Sequence, residues 1–323
     1  EVFQTHEMFD VYNGQASHKG NLLLKPTGLT GNGIMKLDLA EVSSKFFSFN
    51  STWFKADTAN LNVFDNSSNL AFSAKNLRAN IDVKDREGMF FSNGTGSYVN
   101  FPSSEYICYI DQLKWFMDQN HVELGASEYG DGSKFVSLHP EQDSLRFVST
   151  SAFYSLENYI IEAGGVKEII VADAEIYPEN GDVVVETNAL MRTLHNASLL
   201  VNRTERYHQL FNATIDIQGR KSYSGNASYH FKGRGLEEQT LYFTSLYIDE
   251  EQTIGLGKIT EEMNFSFNPQ FSYKGDIRLE GSQENLHYHG TYQVQHECSI
   301  IENAWVQFSA YVGADEMRLP IGE

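Results

Sequence analysis

The residues best placed to do chemistry are histidines near the end of the chain. His287-Tyr288-His289 sets two imidazoles on one face of a strand, about 7 Å apart along it. That spacing can serve a metal ion, and His296 follows closely. Alternation argues against a site. Leu286, Tyr288, Tyr292, Val294 and Cys298 define an apolar face that His296 shares, so His287 and His289 point the other way. The expectation is a solvated pair and no metal.

Carboxylates offer a second chemistry. Asp82, Asp85 and Glu87 flank one turn, and Asp111, Asp118 and Glu123 surround Trp115-Phe116. A glycosidase holds two acids across a cleft in this way, but the spacing selects no pair, and solvated acidic faces are the simpler expectation. Nucleophile and phosphate motifs are missing: the chain has no Gly-x-Ser-x-Gly elbow, no His-Glu-x-x-His and no Gly-x-x-x-x-Gly-Lys. Gly130-Asp131-Gly132-Ser133 lacks the spaced ligands of a calcium loop and reads as a polar turn. Trp53, Trp115 and Trp305 read as core fillers before sugar platforms. The sequence thus favours a non-enzymatic role with no catalytic residue, metal or cofactor.

The elements that would position these residues are strands. Leu77, Ala79, Ile81 and Val83 alternate with polar neighbours, as do Met35, Leu37 and Leu39; Ala59, Leu61 and Val63; Ala213, Ile215 and Ile217; and Met263, Phe265 and Phe267. Residues 145–186 read as closely stacked short strands. Asn32-Gly33, Glu87-Gly88, Asn93-Gly94, Asn180-Gly181, Lys232-Gly233 and Lys274-Gly275 read as turns. Ile110 to Asn120 is the best helix candidate and equally an aromatic strand.

A repeat links the two ends. Lys19-Gly20-Asn21-Leu22-Leu23-Leu24, followed by Leu29 and Gly33, matches Lys274-Gly275-Asp276-Ile277-Arg278-Leu279, followed by Leu286 and Gly290. Each copy reads as strand, turn and strand. The predicted fold is all-β: elongated stacked or rolled sheets, solenoid-like or jellyroll-like, of short strands with glycine turns and little helix. Residues 1–323 read as one continuous module with its best boundary near 125–133 and a second near 232–238.

Composition sets the outer limits. The 22 Phe and 17 Tyr in 323 residues supply a folding core. A net charge of -19 repels phosphate backbones, which excludes nucleic acid as a partner, and disfavours anionic membrane surfaces. No stretch reaches the ~20 apolar residues of a membrane-spanning helix. The chain begins at Glu1 and reads as a processed protein or a piece of a longer one. Cys108 and Cys298 either bridge in an oxidising compartment or fill the core as small hydrophobes. Eight Asn-x-Ser/Thr triplets, at Asn50, Asn66, Asn93, Asn196, Asn202, Asn212, Asn226 and Asn264, are what an Asn- and Ser-rich chain produces by chance.

Asp57-Thr58-Ala59 and Asp143-Ser144-Leu145 resemble the Asp-Ser/Thr-aliphatic sites of O-glycosylation in exported proteins of the Bacteroides group, which would place sugars on Thr58 and Ser144. With Phe54-Lys55-Ala56, Asp85-Arg86-Glu87-Gly88 and the segment Ile169 to Pro178, they resemble long β-rich envelope proteins of that group. The alternating hairpins are similar in style to OstA-like and AsmA-like lipid-transport folds. These resemblances imply an exported protein that is periplasmic, outer-membrane-associated or at the cell surface. Its role would be a scaffold, partner-binding segment or lipid groove, with other envelope proteins or the remainder of its own chain as partners. The alternative is a glycan-binding or glycan-cleaving β-protein.

Overall fold

Alternation becomes strand nearly wherever it occurs. Along Trp53–Phe64, Ala56, Ala59, Leu61 and Val63 are buried while their polar neighbours are exposed. His208–Gly219 repeats the pattern through Leu210, Ala213, Ile215 and Ile217. The computed structural model describes residues 2–4, 7–125, 132–297 and 303–313. Strands take up 64% of these and short 3-10 turns 6%, with no α-helix among them. The all-β expectation of short antiparallel strands holds. Ile110 to Asn120 resolves into the strand Gln112–Phe116 and a single 3-10 turn, Met117–Gln119, closed by left-handed Asn120. Residues 126–131 lie outside the described residues; they cover most of the expected boundary and two of the four residues of Gly130-Asp131-Gly132-Ser133. Cys298 lies outside them too, whereas Cys108 is buried.

Three expected turns are strand instead. Asn32-Gly33 lies inside Gly28–Leu37, Glu87-Gly88 begins Glu87–Ser92, and Lys274-Gly275 lies inside Phe271–Glu280. For the first and last the cause is close approach. Gly20 faces Gly33, and Gly275 faces Gly290, in register across their hairpins. A Cβ on Gly33 would stand 2.1 Å from the Lys19 carbonyl oxygen, so only hydrogen fits there. The turns of these hairpins fall at residues 26–27 and 281–285. Asn93-Gly94 and Asn180-Gly181 do sit at turns.

The chain divides into two compact units. The first comprises Glu1–Pro140, Ser144–Lys167 and Asn180–Arg192. It opens with a meander of Ala16–Lys25, Gly28–Leu37, Ala40–Phe49, Trp53–Phe64 and Leu70–Asp82, each paired to the next. The last of these strands forks. Residues 73–75 pair with Tyr98–Phe101, and residues 77–82 pair with Glu87–Ser92. Asn76 marks the branch with a φ of 56°, and its carbonyl accepts the Ser97 hydroxyl at 2.6 Å.

From the fork onward, successive segments join two layers in turn. One layer runs through Glu87–Ser92, Gln112–Phe116, His121–Gly125, Ser151–Ser155, Ile161–Gly164 and Val183–Val185. The other runs through Tyr98–Phe101, Tyr106–Tyr109, Ser133–Ser137 and Arg146–Ser149. Buried rings fill the space between them. Phe101 and Tyr154 lie 4.4 Å apart, and the Tyr154 hydroxyl donates to the Ala71 carbonyl at 3.0 Å. That bond satisfies a polar group whose burial would otherwise be costly.

The second unit comprises Glu141–Asp143, Glu168–Glu179 and Thr193–Glu323. Its strands are longer and follow one another in order: Leu194–Val201, His208–Gly219, Ser222–Phe231, Gln239–Asp249, Gln252–Ile259, Phe271–Glu280, Leu286–Val294 and Trp305–Val312. Phe231, Phe265, Phe267, Tyr273, Tyr288 and Phe308 form its aromatic core. Asp173 accepts both the Thr253 amide at 3.0 Å and its hydroxyl at 2.6 Å, which fixes the neighbouring hairpin.

Candidate functional site: a cleft across the first unit's sheet

Antiparallel register builds the site. The outward side chains of successive strands stand side by side: Met89 beside Lys114, Lys114 beside Glu123, Glu123 beside Phe153, Phe153 beside Glu162, and Glu162 beside Val184. Two residues along each strand, the next row is Gln112, Gly125, Ser151 and Gly164. Small residues there leave the floor open. A Cβ on Gly125 would come 3.0 Å from the Gln112 amide nitrogen. The result is a cleft of about 760 Å³, lined also by Asp182 and Val183-Val184.

Among the lining residues Phe153 is the one ring, and two further rings stack behind it outside the lining. His121 stacks between Phe116 and Phe153, with centroids 4.6 and 4.7 Å apart. Lys114 places its ammonium 4.2 Å from the Phe116 centroid and 2.9 Å from Glu87 Oε2, so its charge is neutralised locally. Phe153 keeps 36% of its surface in solvent. Glu162 and Asp182 make no ion pair with the described residues. The cleft therefore offers one apolar ring face bordered by the carboxylates of Glu162 and Asp182, by Glu123, which stands 3.7 Å from His121 Nε2, and by an amide.

Such a surface can bind a polyol. C–H faces stack on Phe153, and hydroxyls donate to Glu123, Glu162 and Asp182. Glu123 and Glu162 stand two strands apart, about 9.5 Å between Cα atoms. Phe153 lies between them in register, so the two acids flank a platform.

Of the acids singled out by sequence, only Glu123 lines this cleft. Asp82 accepts the Lys84 and Asp85 amides within its turn at 3.0 and 2.9 Å, and Glu87 pairs with Lys114. Asp118 pairs with Arg86, which also holds Asp38 at 2.8 Å. Trp115 is buried in the core, as expected, while Trp53 and Trp305 are partly exposed, with Lys55 and Lys274 lying over their rings at 4.7 and 4.2 Å. Phe153, Glu162 and Asp182 were not legible as site residues. Alternation within 151–155 does place Phe153 opposite buried Ala152 and Tyr154, which was the one available signal.

Thr58 and Ser144 are both exposed. Thr58 sits in a bulge between Ala56 and Ala59, and its carbonyl accepts the Ser44 hydroxyl at 2.7 Å. His287 and His289 face away from buried Leu286, Tyr288 and Tyr292, as alternation predicts. Among the described residues, no three His, Cys, Asp or Glu side chains already converge as a metal site. No helix among them is long and apolar enough to cross a membrane. The chain matches no protein-family model, no curated protein and no solved structure.

Proposed function

We propose that the chain is a non-enzymatic binding module of an exported, envelope-associated protein, and that its first sheet takes glycan chains. The observation that carries this is the Phe153 platform flanked by Glu123 and Glu162 in an open cleft. Export is supported by the resemblance of residues 54–59, 85–88 and 169–178 to Bacteroides-group envelope proteins, and by the exposure of Thr58 and Ser144. Scaffold contacts with other envelope proteins, or with the remainder of its own chain, are compatible with the same surface.

A lipid groove of the OstA-like or AsmA-like kind fits this cleft less well. An acyl chain laid over Phe153 would strip water from Glu123, Glu162 and Asp182 and return no hydrogen bond to them. Glycan-array binding by the full chain tests the proposal. Phe153→Ala should abolish retention of the best glycan while leaving the unfolding midpoint nearly unchanged, because the ring is partly exposed. Equal retention by the variant, or no glycan bound by the parent, would overturn it. Intact-mass measurement of the native protein checks Thr58 and Ser144: hexose-type increments lost in Thr58→Ala and Ser144→Ala are expected.

A further inference from the structure

The second unit carries another cleft, of about 370 Å³, lined by Leu256, Gly257, Asp276, Ile277, Arg278, His287 and His289. Three of these residues bear metal-ligating side chains on one outward face. Asp276 is in register with His289, and Arg278 with His287, across adjacent strands. Facing side chains in such a pair have Cβ atoms about 5 Å apart, and a diagonal pair about 7–8 Å. His287 and His289 lie about 7 Å apart along their strand. The backbone thus fixes all three ligand stems within the span of one small ion, and side-chain rotation alone would bring the ligand atoms together.

The surroundings suit a cation. Arg278, the nearest guanidinium, is held at 2.7 Å by Glu280, which also accepts the Tyr311 hydroxyl. The His287 ring packs on Tyr311 at 4.9 Å, and its Nε2 lies 3.2 Å from the Ser309 hydroxyl on the strand opposite Asp276, so binding exchanges this one long contact for the ion. Lys258 stands in register with Asp276 and opposes binding, whereas Lys274, two residues from Asp276 on its strand, is paired with Glu261 at 2.7 Å. A net charge of -19 adds a favourable long-range field.

The geometry points to a surface site for a divalent d-block ion, Zn²⁺ or Cu²⁺, with His287, His289 and Asp276 as protein ligands and water completing the shell. Two imidazoles and one carboxylate select these ions over calcium and magnesium, which take all-oxygen sets. The site is separate from the glycan cleft, and its test does not depend on that proposal.

Calorimetric titration of the full chain with Zn²⁺ alone reads it directly. One ion per chain is expected. His287→Gln and His289→Gln should each weaken binding by at least about tenfold, and Asp276→Asn by about tenfold. The double histidine variant should lose the site, while His195→Gln, an exposed histidine on Leu194–Val201, should change nothing. The ligands are at the surface, so circular dichroism should show every variant folded. Unchanged affinity in the double variant, equal loss in His195→Gln, or no saturable binding by the parent overturns the assignment.

Discussion

Two hairpins, one in each unit, share a backbone device and differ in what they bury. In the first, Gly20 faces Gly33; in the second, Gly275 faces Gly290. Two residues before the leading glycine, each places a buried ring: His18 in one, Tyr273 in the other. His18 lies among Phe9, Phe47 and Phe49 at 5.7 to 6.2 Å, and among the described residues neither ring nitrogen has a partner within full hydrogen-bond geometry, the Asn21 backbone being the nearest polar influence. Tyr273 packs against Tyr288, Phe267 and Phe308, and its hydroxyl reaches over the glycines to donate to the Asp276 carbonyl at 2.7 Å. The same close strand approach can therefore cover an apolar-caged imidazole or a satisfied phenol. The paired glycines specify the backbone, and the ring at this position specifies the chemistry.

The largest expected effect comes from filling the glycine space. A Cβ on Gly20 would lie 2.0 Å from the Asn32 carbonyl oxygen, and one on Gly275 2.6 Å from the Gly290 Cα. Gly20→Ala and Gly275→Ala should each cost about 3 kcal/mol or more, with Gly20→Ala the worse. Urea unfolding checks the order, and a reversed order would break the equivalence of the two hairpins.

Acid sensitivity comes next. Burial lowers the His18 pKa below 6.5, and burial likewise lowers that of His208, whose Nε2 lies 2.8 Å from the Gln283 carbonyl. As pH falls through 6.5, the unfolded chain takes up protons that the folded chain refuses. Stability is therefore lost below pH 6.5, at up to about 1.4 kcal/mol per pH unit for each histidine, until the folded pKa is reached. His18→Phe should shrink the drop in melting temperature between pH 7.5 and 5.5. A variant with the same drop as the parent would show that the first hairpin is not acid-sensitive.

The smallest effect sharpens the second hairpin. Tyr273→Phe removes one hydrogen bond and keeps the ring, so a loss of about 1 kcal/mol is expected in the same urea experiment. No loss would mean that the hydroxyl contributes nothing beyond filling space.

Much of this was legible beforehand, for identifiable reasons. Alternation placed the buried face of Trp53–Phe64 and the outward aim of His287 and His289, because side-chain direction on a strand follows parity. The matched Lys-Gly segments at 19–20 and 274–275 pointed to related hairpins. What failed was the reading of glycine. Gly33 and Gly275 looked like turn residues because close approach and positive φ leave the same mark in a sequence as a tight turn. The cleft was hidden for a different reason. Glu123, Phe153 and Glu162 become neighbours only through the register of three strands, and register depends on turn lengths that residue patterning does not give.

The fork at Asn76 bears on how such a chain can change during evolution. Beyond it, hairpins are laid down alternately on two growing edges, so a hairpin pair gained or lost at the far end leaves earlier pairings untouched. A single residue inserted between Leu77 and Asp82 would instead reverse the parity of that strand's second half, turning Ala79 and Ile81 outward and Asn80 and Asp82 inward. Length variation should therefore gather at hairpin tips and late hairpins, and be refused at this one branching strand.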